Sequence, residues 1–243
     1  MTKKIAYITD IHLDESTPGD IRVDTRDNWK SILKDVAARS ADEIIFGGDI
    51  GETEAYSWFF QSFKNYTSNL KITLGNHDVF SEVIKYYSVN TDRGGKELYY
   101  SDEDDYCKHI FLDSSAYEIS DKQYKWLAGE IDTPKKVILF IHHPVLTTDS
   151  AADKEFPLNG REEIKEVLHK HKSEVYIFCG HYHTIDERTD GNIKQFITPA
   201  ASFQMADQGG KIVKDASWFG YRIINITDKD ISSQIILNKD FLM

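Results

Sequence analysis

Cysteine, long apolar runs and clusters of basic residues are all scarce in this chain, and each absence excludes a class of protein. The 243 residues include only two cysteines, Cys107 and Cys179, so a disulfide framework is excluded and two small buried side chains are expected. No run approaches the roughly 18 apolar residues that a membrane-spanning helix needs. The apolar stretch behind the N-terminal Met-Thr-Lys-Lys is broken by Asp10, which is typical of a first strand rather than a signal peptide. We therefore expect a cytoplasmic protein without membrane segments.

The negative net charge of the chain restricts the kinds of molecule that it is expected to bind. The formal net charge is −11, and no Lys/Arg cluster with interleaved aromatic residues offsets it. An acidic surface repels a polyanion, so long nucleic acid is an unlikely partner. Hydrophobic residues make up 40% of the chain and charged residues 28%, close to the values of globular proteins. We expect a single domain over residues 1–243.

Five apolar runs are each followed by a short polar motif. The runs are rich in β-branched and aromatic residues, which is typical of buried strands. They cover Lys4–Ile8, Glu43–Phe46, Leu70–Leu74, Val137–Ile141 and Val175–Cys179. The motifs are Asp10-Ile-His12, Gly48-Asp49, Gly75-Asn76-His77-Asp78, His142-His143-Pro144 and Gly180-His181-Tyr182-His183. Open α/β sheets bind ligands at the carboxyl ends of their strands, so these motifs predict one shared site.

The spacing between the strands predicts an α/β fold. Apolar residues at helical spacing predict helices over Asp24–Arg39, Thr53–Tyr66, Asp78–Tyr87, Asp121–Ile131 and Asn159–Lys172. Strands that alternate with helices indicate parallel pairing.

After His183 the pattern changes to short strands, over Thr184–Arg188, Ile193–Ile197, Gly220–Ile226 and Ile231–Leu237. With a hairpin over Lys96–Ser101 and Tyr106–Leu112, these segments are expected to form a second sheet on the first. The predicted fold is a four-layer αββα sandwich, with two packed mixed sheets flanked by helices.

The donor groups of the motifs suit transition metals. In an extended segment, residues two apart point the same way, so Asp10 with His12 and His181 with His183 would each present a pair. The complete set is Asp10, His12, Asp49, Asn76, His142, His181 and His183. Seven donors are too many for one tetrahedral ion, and nitrogen and oxygen donors without thiolate favour two Mn, Fe or Zn ions.

Each donor taken alone has a simpler interpretation. An Asp or Asn after a strand is more often a turn residue, and the Gly180-His-Tyr-His183 motif alone could be a hairpin edge. The completeness and uniform placement of the set favour metal binding. His143 is adjacent to a donor and should point away from it, which favours a structural or rim role.

The order of these motifs resembles that of the calcineurin-like metallophosphoesterase superfamily, and within it the chain is similar to small class III cyclic nucleotide phosphodiesterases. The match spans residues 10–183. The resemblance implies Asp10, His12, Asp49 and His183 on one metal, and Asp49, Asn76, His142 and His181 on the other, with Asp49 bridging. It also implies that His77 acts as an unliganded histidine beside the scissile phosphate.

Two branches of the superfamily fit the chain poorly. Ser/Thr protein phosphatases have Asp-Arg-Gly shortly after the bridging Asp, whereas Asp49 is followed by Ile-Gly-Glu-Thr. Purple acid phosphatases have a ligand Tyr three residues after it, where this chain has Glu52. Glu52 instead matches the acid that orients the catalytic histidine in some relatives, and Asp78 is the alternative carboxylate for that role.

The expected activity is hydrolysis of a small phosphate ester, most readily a phosphodiester such as a cyclic nucleotide. Two metals would yield a bridging hydroxide that attacks phosphorus, while His77 protonates the leaving oxygen. A phosphomonoesterase, a nucleotide pyrophosphatase, a nuclease and a metal-bound scaffold without turnover are the alternatives. The segment Ala200–Trp218 is either a loop on the rim of the site or a surface excursion.

Overall fold

Two mixed β-sheets form the centre of the fold. The computed structural model describes residues 2–66, 69–89 and 95–242. The strands are β1 (Lys3–Ile8), β2 (Glu43–Phe46), β3 (Asn69–Ile72), β4 (Tyr100–Glu103), β5 (Cys107–Phe111), β6 (Lys136–Phe140), β7 (Val175–Cys179), β8 (Asp186–Asp190), β9 (Ile193–Ile197), β10 (Gln204–Asp207), β11 (Ile212–Asp215), β12 (Gly220–Ile226) and β13 (Ile231–Leu237). One sheet has the order β13-β12-β1-β2-β3, the other β4-β5-β6-β7-β9-β8, and β10 pairs with β11 alone.

Helices cover the sheets. They are α1 (Ser16–Asp20), α2 (Thr25–Ala38), α3 (Tyr56–Ser62), α4 (Phe80–Val83), α5 (Asp121–Glu130), α6 (Ala151–Glu155) and α7 (Arg161–Leu168). Single 3₁₀ turns cover Thr53–Ala55, Phe63–Asn65 and Asn238–Asp240. The Ser120 side chain accepts a hydrogen bond from the Gln123 N–H and caps α5, as the sequence predicts.

Aromatic side chains join the two sheets face to face. The ring of Tyr7 on β1 lies 5.7 Å from that of Phe140 on β6 and 6.2 Å from that of Phe178 on β7. On the outer side of the first sheet, Trp29 of α2 packs 5.8 Å from Phe46 of β2. A second apolar cluster places α5 and α7 against β6 and β7. These contacts confirm the αββα sandwich.

The division of strands between the sheets differs from the prediction. The tail strands β12 and β13 belong to the first sheet, where β12 pairs antiparallel with β1. The early strands β6 and β7 belong to the second sheet, parallel to β5 and β9. The expectation that the tail strands all enter the second sheet was therefore wrong, because alternation along a strand does not specify which strand it pairs with.

Several boundaries also differ. The helix predicted over Asp78–Tyr87 is reduced to α4, and the short helices α1 and α6 were not predicted. The segment Ala200–Trp218 contains the hairpin of β10 and β11. Both cysteines are buried and free, as expected. Within residues 2–66, 69–89 and 95–242, no helix is both long enough and apolar enough to cross a membrane.

The sheet topology gathers the polar motifs at one edge. Strands β1, β2 and β3 are mutually parallel, and so are β6 and β7. Their carboxyl ends therefore meet between the two sheets, where the five motifs begin.

Candidate metal centre

Six of the seven predicted donors converge at the carboxyl ends of the parallel strands. Ligand atoms within 4.8 Å of one another form three overlapping groups. The groups are Asp10, His12 and His183; Asp49, His142 and His181; and His12, Asp49 and His77. Asp49 belongs to two of them and lies between His12 and His142, with its Oδ2 3.6 Å from one Nε2 and 3.3 Å from the other. The arrangement consists of three overlapping donor groups, two of which share the carboxylate of Asp49.

Five of the donor residues have left-handed backbone conformations. The φ angles are 57° at Asp10, 48° at His12, 62° at Asp49, 69° at His181 and 44° at His183. Such angles are uncommon outside glycine and concentrate at functional sites, where the surrounding structure holds the strain. The donors therefore project from tight turns that follow the strands. The expected extended geometry for the two paired motifs was wrong, although both pairs do reach the site.

Glycines make room for the donors. A Cβ atom on Gly75 would lie 2.1 Å from Asp49 Oδ1, and one on Gly180 would lie 2.3 Å from Asp10 Oδ2. Gly48 has a φ of 101°, and its Cβ would lie 2.7 Å from His142 Nδ1. These positions therefore require glycine for steric reasons.

In three of the donor histidines, one ring nitrogen faces a backbone carbonyl oxygen, which leaves the other ring nitrogen to bind a metal ion. His142 Nδ1 lies 2.8 Å from the carbonyl oxygen of Gly47, and His183 Nδ1 lies 2.8 Å from that of Phe203. His181 faces a carbonyl through Nε2 instead, 3.2 Å from the Phe156 oxygen. Metal-binding histidines are usually oriented by such acceptors, which also fix the tautomer.

Two buried polar atoms without hydrogen-bond partners in the described part of the chain indicate that these residues are suited to bind metal ions. His142 Nε2 and Asn76 Oδ1 are buried, and neither has a hydrogen-bond partner among the described residues. An unpaired buried polar atom is costly, and coordination of a cation would satisfy both. The nitrogen and oxygen donors, without thiolate, suit Mn, Fe or Zn.

The carboxylates of the site are ionised. Burial alone would raise the pKa of Asp49, but the nearby His142 and His12 hold it well below its ordinary value. Burial would likewise lower the pKa of His142, whereas the charges of Asp49 and Asp10 raise it to about 10. His181 differs, because burial and then the charge on His142 lower its pKa to about 3. The two carboxylates thus concentrate negative charge where the imidazoles converge.

His77 lies at the mouth of the site with a carboxylate beside it. Its side chain is 46% exposed, and its ring centroid lies 4.7 Å from that of His12. Glu15 contacts both rings, with Oε1 3.1 Å from His77 Nδ1 and Oε2 2.9 Å from His12 Nδ1. The hydrogen bond from Glu15 outweighs burial and raises the pKa of His77 to about 9. His77 is therefore protonated at neutral pH in the metal-free protein.

The structure places a different carboxylate beside His77 from the one that the sequence favours. Glu52 is exposed, and Glu15 occupies the position beside His77 instead. Asp78 accepts hydrogen bonds from the backbone N–H groups of Asp49, Ile50 and Gly75, so it fixes two motif turns to each other. Glu15 lies in no recognisable motif, and its position depends on the turn after His12, so spacing alone gave no signal for it.

Tyr117 is a second residue at the site that the sequence did not predict, and it contacts the neighbouring rings of His143 and His181. The ring of His143 is buried and lies 4.0 Å from that of His181, and its Nδ1 lies 2.9 Å from Ser114 Oγ. Tyr117 covers this pair, with its ring 4.8 Å from His143 and 5.8 Å from His181. Burial and then the charge of Asp49 raise the pKa of the Tyr117 phenol. No motif in the sequence marks Tyr117.

The segment Ala200–Trp218 combines the two roles that the sequence left open, a loop at the site and a surface excursion. Its first residues contact the site, because the N–H and the Oγ of Ser202 both donate to the carbonyl oxygen of Asp10, at 3.2 and 2.7 Å. Its later residues form the hairpin of β10 and β11, which is largely exposed.

The comparisons with known proteins agree with this geometry. The model of the calcineurin-like phosphoesterase family matches residues 3–184. The chain is 27% identical over 214 residues to a protein of Fibrobacter succinogenes named a probable cyclic nucleotide phosphodiesterase, covering 83% of this chain and 81% of that one. It is 28% identical to a protein of Arcobacter nitrofigilis named a probable glycerophosphodiester phosphodiesterase GpdQ, over 68% of this chain and 65% of that one.

A solved structure shares the fold. Purple acid phosphatase PPD1 from yellow lupin aligns with a TM-score of 0.77 over 100% of this chain, at 12% sequence identity. The alignment covers 52% of the lupin chain, so this chain spans about half of its length. At this identity the likeness is one of fold alone.

Proposed function

This chain belongs to the calcineurin-like phosphoesterase family of metal-dependent hydrolases, and on that premise we propose that it cleaves phosphodiester bonds at two metal ions. The observation that carries the proposal is Asp49, whose carboxylate is shared between two groups of donor atoms. Asp10, His12, Asp49 and His183 would hold one ion, and Asp49, Asn76, His142 and His181 the other. Bound there, the ions would lower the pKa of a water molecule and polarise the phosphoryl oxygens.

The residues of the chain supply the proton. In the metal-free protein, Glu15, whose Oε1 lies 3.1 Å from His77 Nδ1, raises the pKa of His77 to about 9. The position of His77 at the mouth of the site suits a general acid, which donates to the oxygen that leaves phosphorus. Proton transfer to that oxygen allows the phosphorus–oxygen bond to break without releasing a strongly basic alkoxide. Glu15 orients the ring and keeps it charged until the transfer.

Charge favours an anionic ester, and the names of the relatives favour a diester among them. Two divalent ions exceed the charge of the Asp10 and Asp49 carboxylates, so the site keeps a net positive charge that attracts an anionic ester. The matched relatives are named as phosphodiesterases of cyclic nucleotides and glycerophosphodiesters. A cyclic nucleotide is the specific candidate, while the net charge of −11 disfavours long nucleic acid.

Hydrolysis of two chromogenic esters and of a cyclic nucleotide tests the proposal. The protein, treated with a chelator and then reloaded with Mn²⁺, is incubated separately with bis-p-nitrophenyl phosphate, p-nitrophenyl phosphate and 3′,5′-cyclic AMP. We expect release from the diester that the chelator abolishes, and slower release from the monoester. Preference for the monoester would replace the diester assignment with a phosphomonoesterase, and no release from any ester would favour a scaffold without turnover.

A further inference from the structure

We propose that Tyr117 is a substrate-contacting residue, whose hydroxyl donates a hydrogen bond to a non-bridging phosphoryl oxygen of the ester. This inference rests on the proposed function and adds a residue to it. Tyr117 lies in the loop after β5, outside every motif that carries the metal donors. Its side chain is half-buried, with the ring held against His143 and His181.

The backbone at Tyr117 is strained. Its φ is 61°, an angle that is uncommon for an aromatic residue and unfavourable without support from its surroundings. Two hydrogen bonds fix it there, since its N–H donates to the Ser114 carbonyl at 2.9 Å and its carbonyl accepts from the Asn159 N–H at 2.8 Å. Strain held in this way is typical of sites where a side chain must be aimed. The loop therefore directs the ring towards the site at a cost in conformational energy.

Tyr117 and His77 lie beside different groups of donors. His77 covers His12, which belongs to the group with Asp10 and His183. Tyr117 covers His181, which belongs to the group with Asp49 and His142. A phosphoryl group bound across both groups would thus have an acid beside one group and a phenol beside the other.

The Tyr117 hydroxyl is available for this contact. Its side chain is only half-buried, so a ligand can approach the phenol from solvent. A tyrosine phenol is protonated at neutral pH and can donate. Hydrogen bonds to ionised groups are about twice as strong as neutral ones, so an anionic phosphoryl oxygen is a good acceptor. The step involves no proton transfer, because the phenol remains protonated throughout.

The test removes one oxygen atom. Tyr117→Phe keeps the ring and its packing, and Tyr124→Phe is the matched control, because Tyr124 donates to the Gly160 carbonyl outside the metal donors. We measure kcat and KM for bis-p-nitrophenyl phosphate, inhibition by inorganic phosphate, metal content and Tm. We expect Tyr117→Phe to lower kcat/KM about tenfold to a hundredfold and to weaken phosphate inhibition, with metal content and Tm unchanged. Tyr124→Phe should keep wild-type kcat/KM.

The outcomes separate the two proposals. If the wild type cleaves the diester and Tyr117→Phe retains its kcat/KM and phosphate inhibition, the contact with substrate does not exist and the inference fails alone. If Tyr117→Phe loses activity together with metal, Tyr117 acts by supporting His181, and the inference fails as well. If the wild type cleaves no ester, the proposed function fails first, and retained phosphate binding that the Phe variant weakens would still support the contact.

Discussion

The Nε2 atoms of His12 and His183 lie 3.0 Å apart, although both rings have their Nδ1 atoms committed elsewhere. His12 Nδ1 faces the Glu15 carboxylate at 2.9 Å, and His183 Nδ1 faces the Phe203 carbonyl at 2.8 Å. Both acceptors require an N–H on Nδ1, so the two neutral rings would direct lone pairs at each other. A cation held between the two Nε2 atoms would remove this repulsion, and Asp10 Oδ1, 3.3 Å from His183 Nε2, would be a further ligand for it.

We expect metal binding to stabilise the folded protein. After chelator treatment, addition of Mn²⁺ or Zn²⁺ at about one hundred times its Kd should add about 2.7 kcal/mol to the free energy of unfolding. Differential scanning calorimetry measures this as a rise in Tm. His183→Ala should reduce this rise in Tm. His169→Ala should leave the rise intact, because His169 lies at the C-terminal end of α7 and is not one of the predicted donors. An equal Tm with and without metal in the wild type would contradict the two-ion centre.

Gly75→Ala should damage the site and leave the fold intact. Its Cβ would lie 2.1 Å from Asp49 Oδ1, so the carboxylate must move. Displacement of about 1 Å in a catalytic group can cost about a hundredfold in rate, and we expect a loss of that order in diester cleavage. Gly129→Ala in α5 is the control, since its Cβ would meet nothing within 4 Å. Equal activity of the two variants would show that the site tolerates a side chain at position 75, and the steric requirement for glycine would be wrong.

Glu15→Gln should lower the pKa of His77. In the wild type the hydrogen bond to Glu15 raises that pKa to about 9, so protonation of His77 stabilises the fold. This contribution is complete below the unfolded pKa of about 6.5 and is lost as the pH rises through the folded value. NMR titration of the metal-free protein should place the His77 transition of the variant at a lower pH than that of the wild type.

Glu52→Gln is the matched control for Glu15→Gln, because Glu52 is exposed. It should leave both the titration of His77 and the turnover unchanged, whereas Glu15→Gln should also reduce turnover at neutral pH. A larger effect at Glu52 would restore the assignment that the sequence favours.

His77→Ala should separate catalysis from metal binding. Its half-exposed ring lies at the mouth, and the groups containing Asp10 and His142 do not include it. We expect wild-type metal content by elemental analysis and a loss of turnover of about a hundredfold to ten-thousandfold, which is typical of a missing general acid. Unchanged turnover with bis-p-nitrophenyl phosphate would remove His77 from the mechanism.

Much of the site could be read from local patterns. Asp10, Asp49 and His142 each follow an apolar run that ends in a polar motif, and runs that form parallel strands bring their carboxyl ends together. The αββα fold was predictable for the same reason, because strand and helix periodicities are local properties. Pairing of β12 with β1 was not, because the partner of a strand depends on the packing of the whole chain.

The sequence by itself determined which donors are available, their order, and that they stand at strand ends. Only the tertiary structure decided that Glu15 rather than Glu52 accompanies His77, and that Tyr117 covers His181. The reason is that both positions depend on left-handed turns and loop hydrogen bonds between residues distant in sequence, such as that of Tyr117 with Asn159. The spacing of residues along the sequence does not predict such contacts.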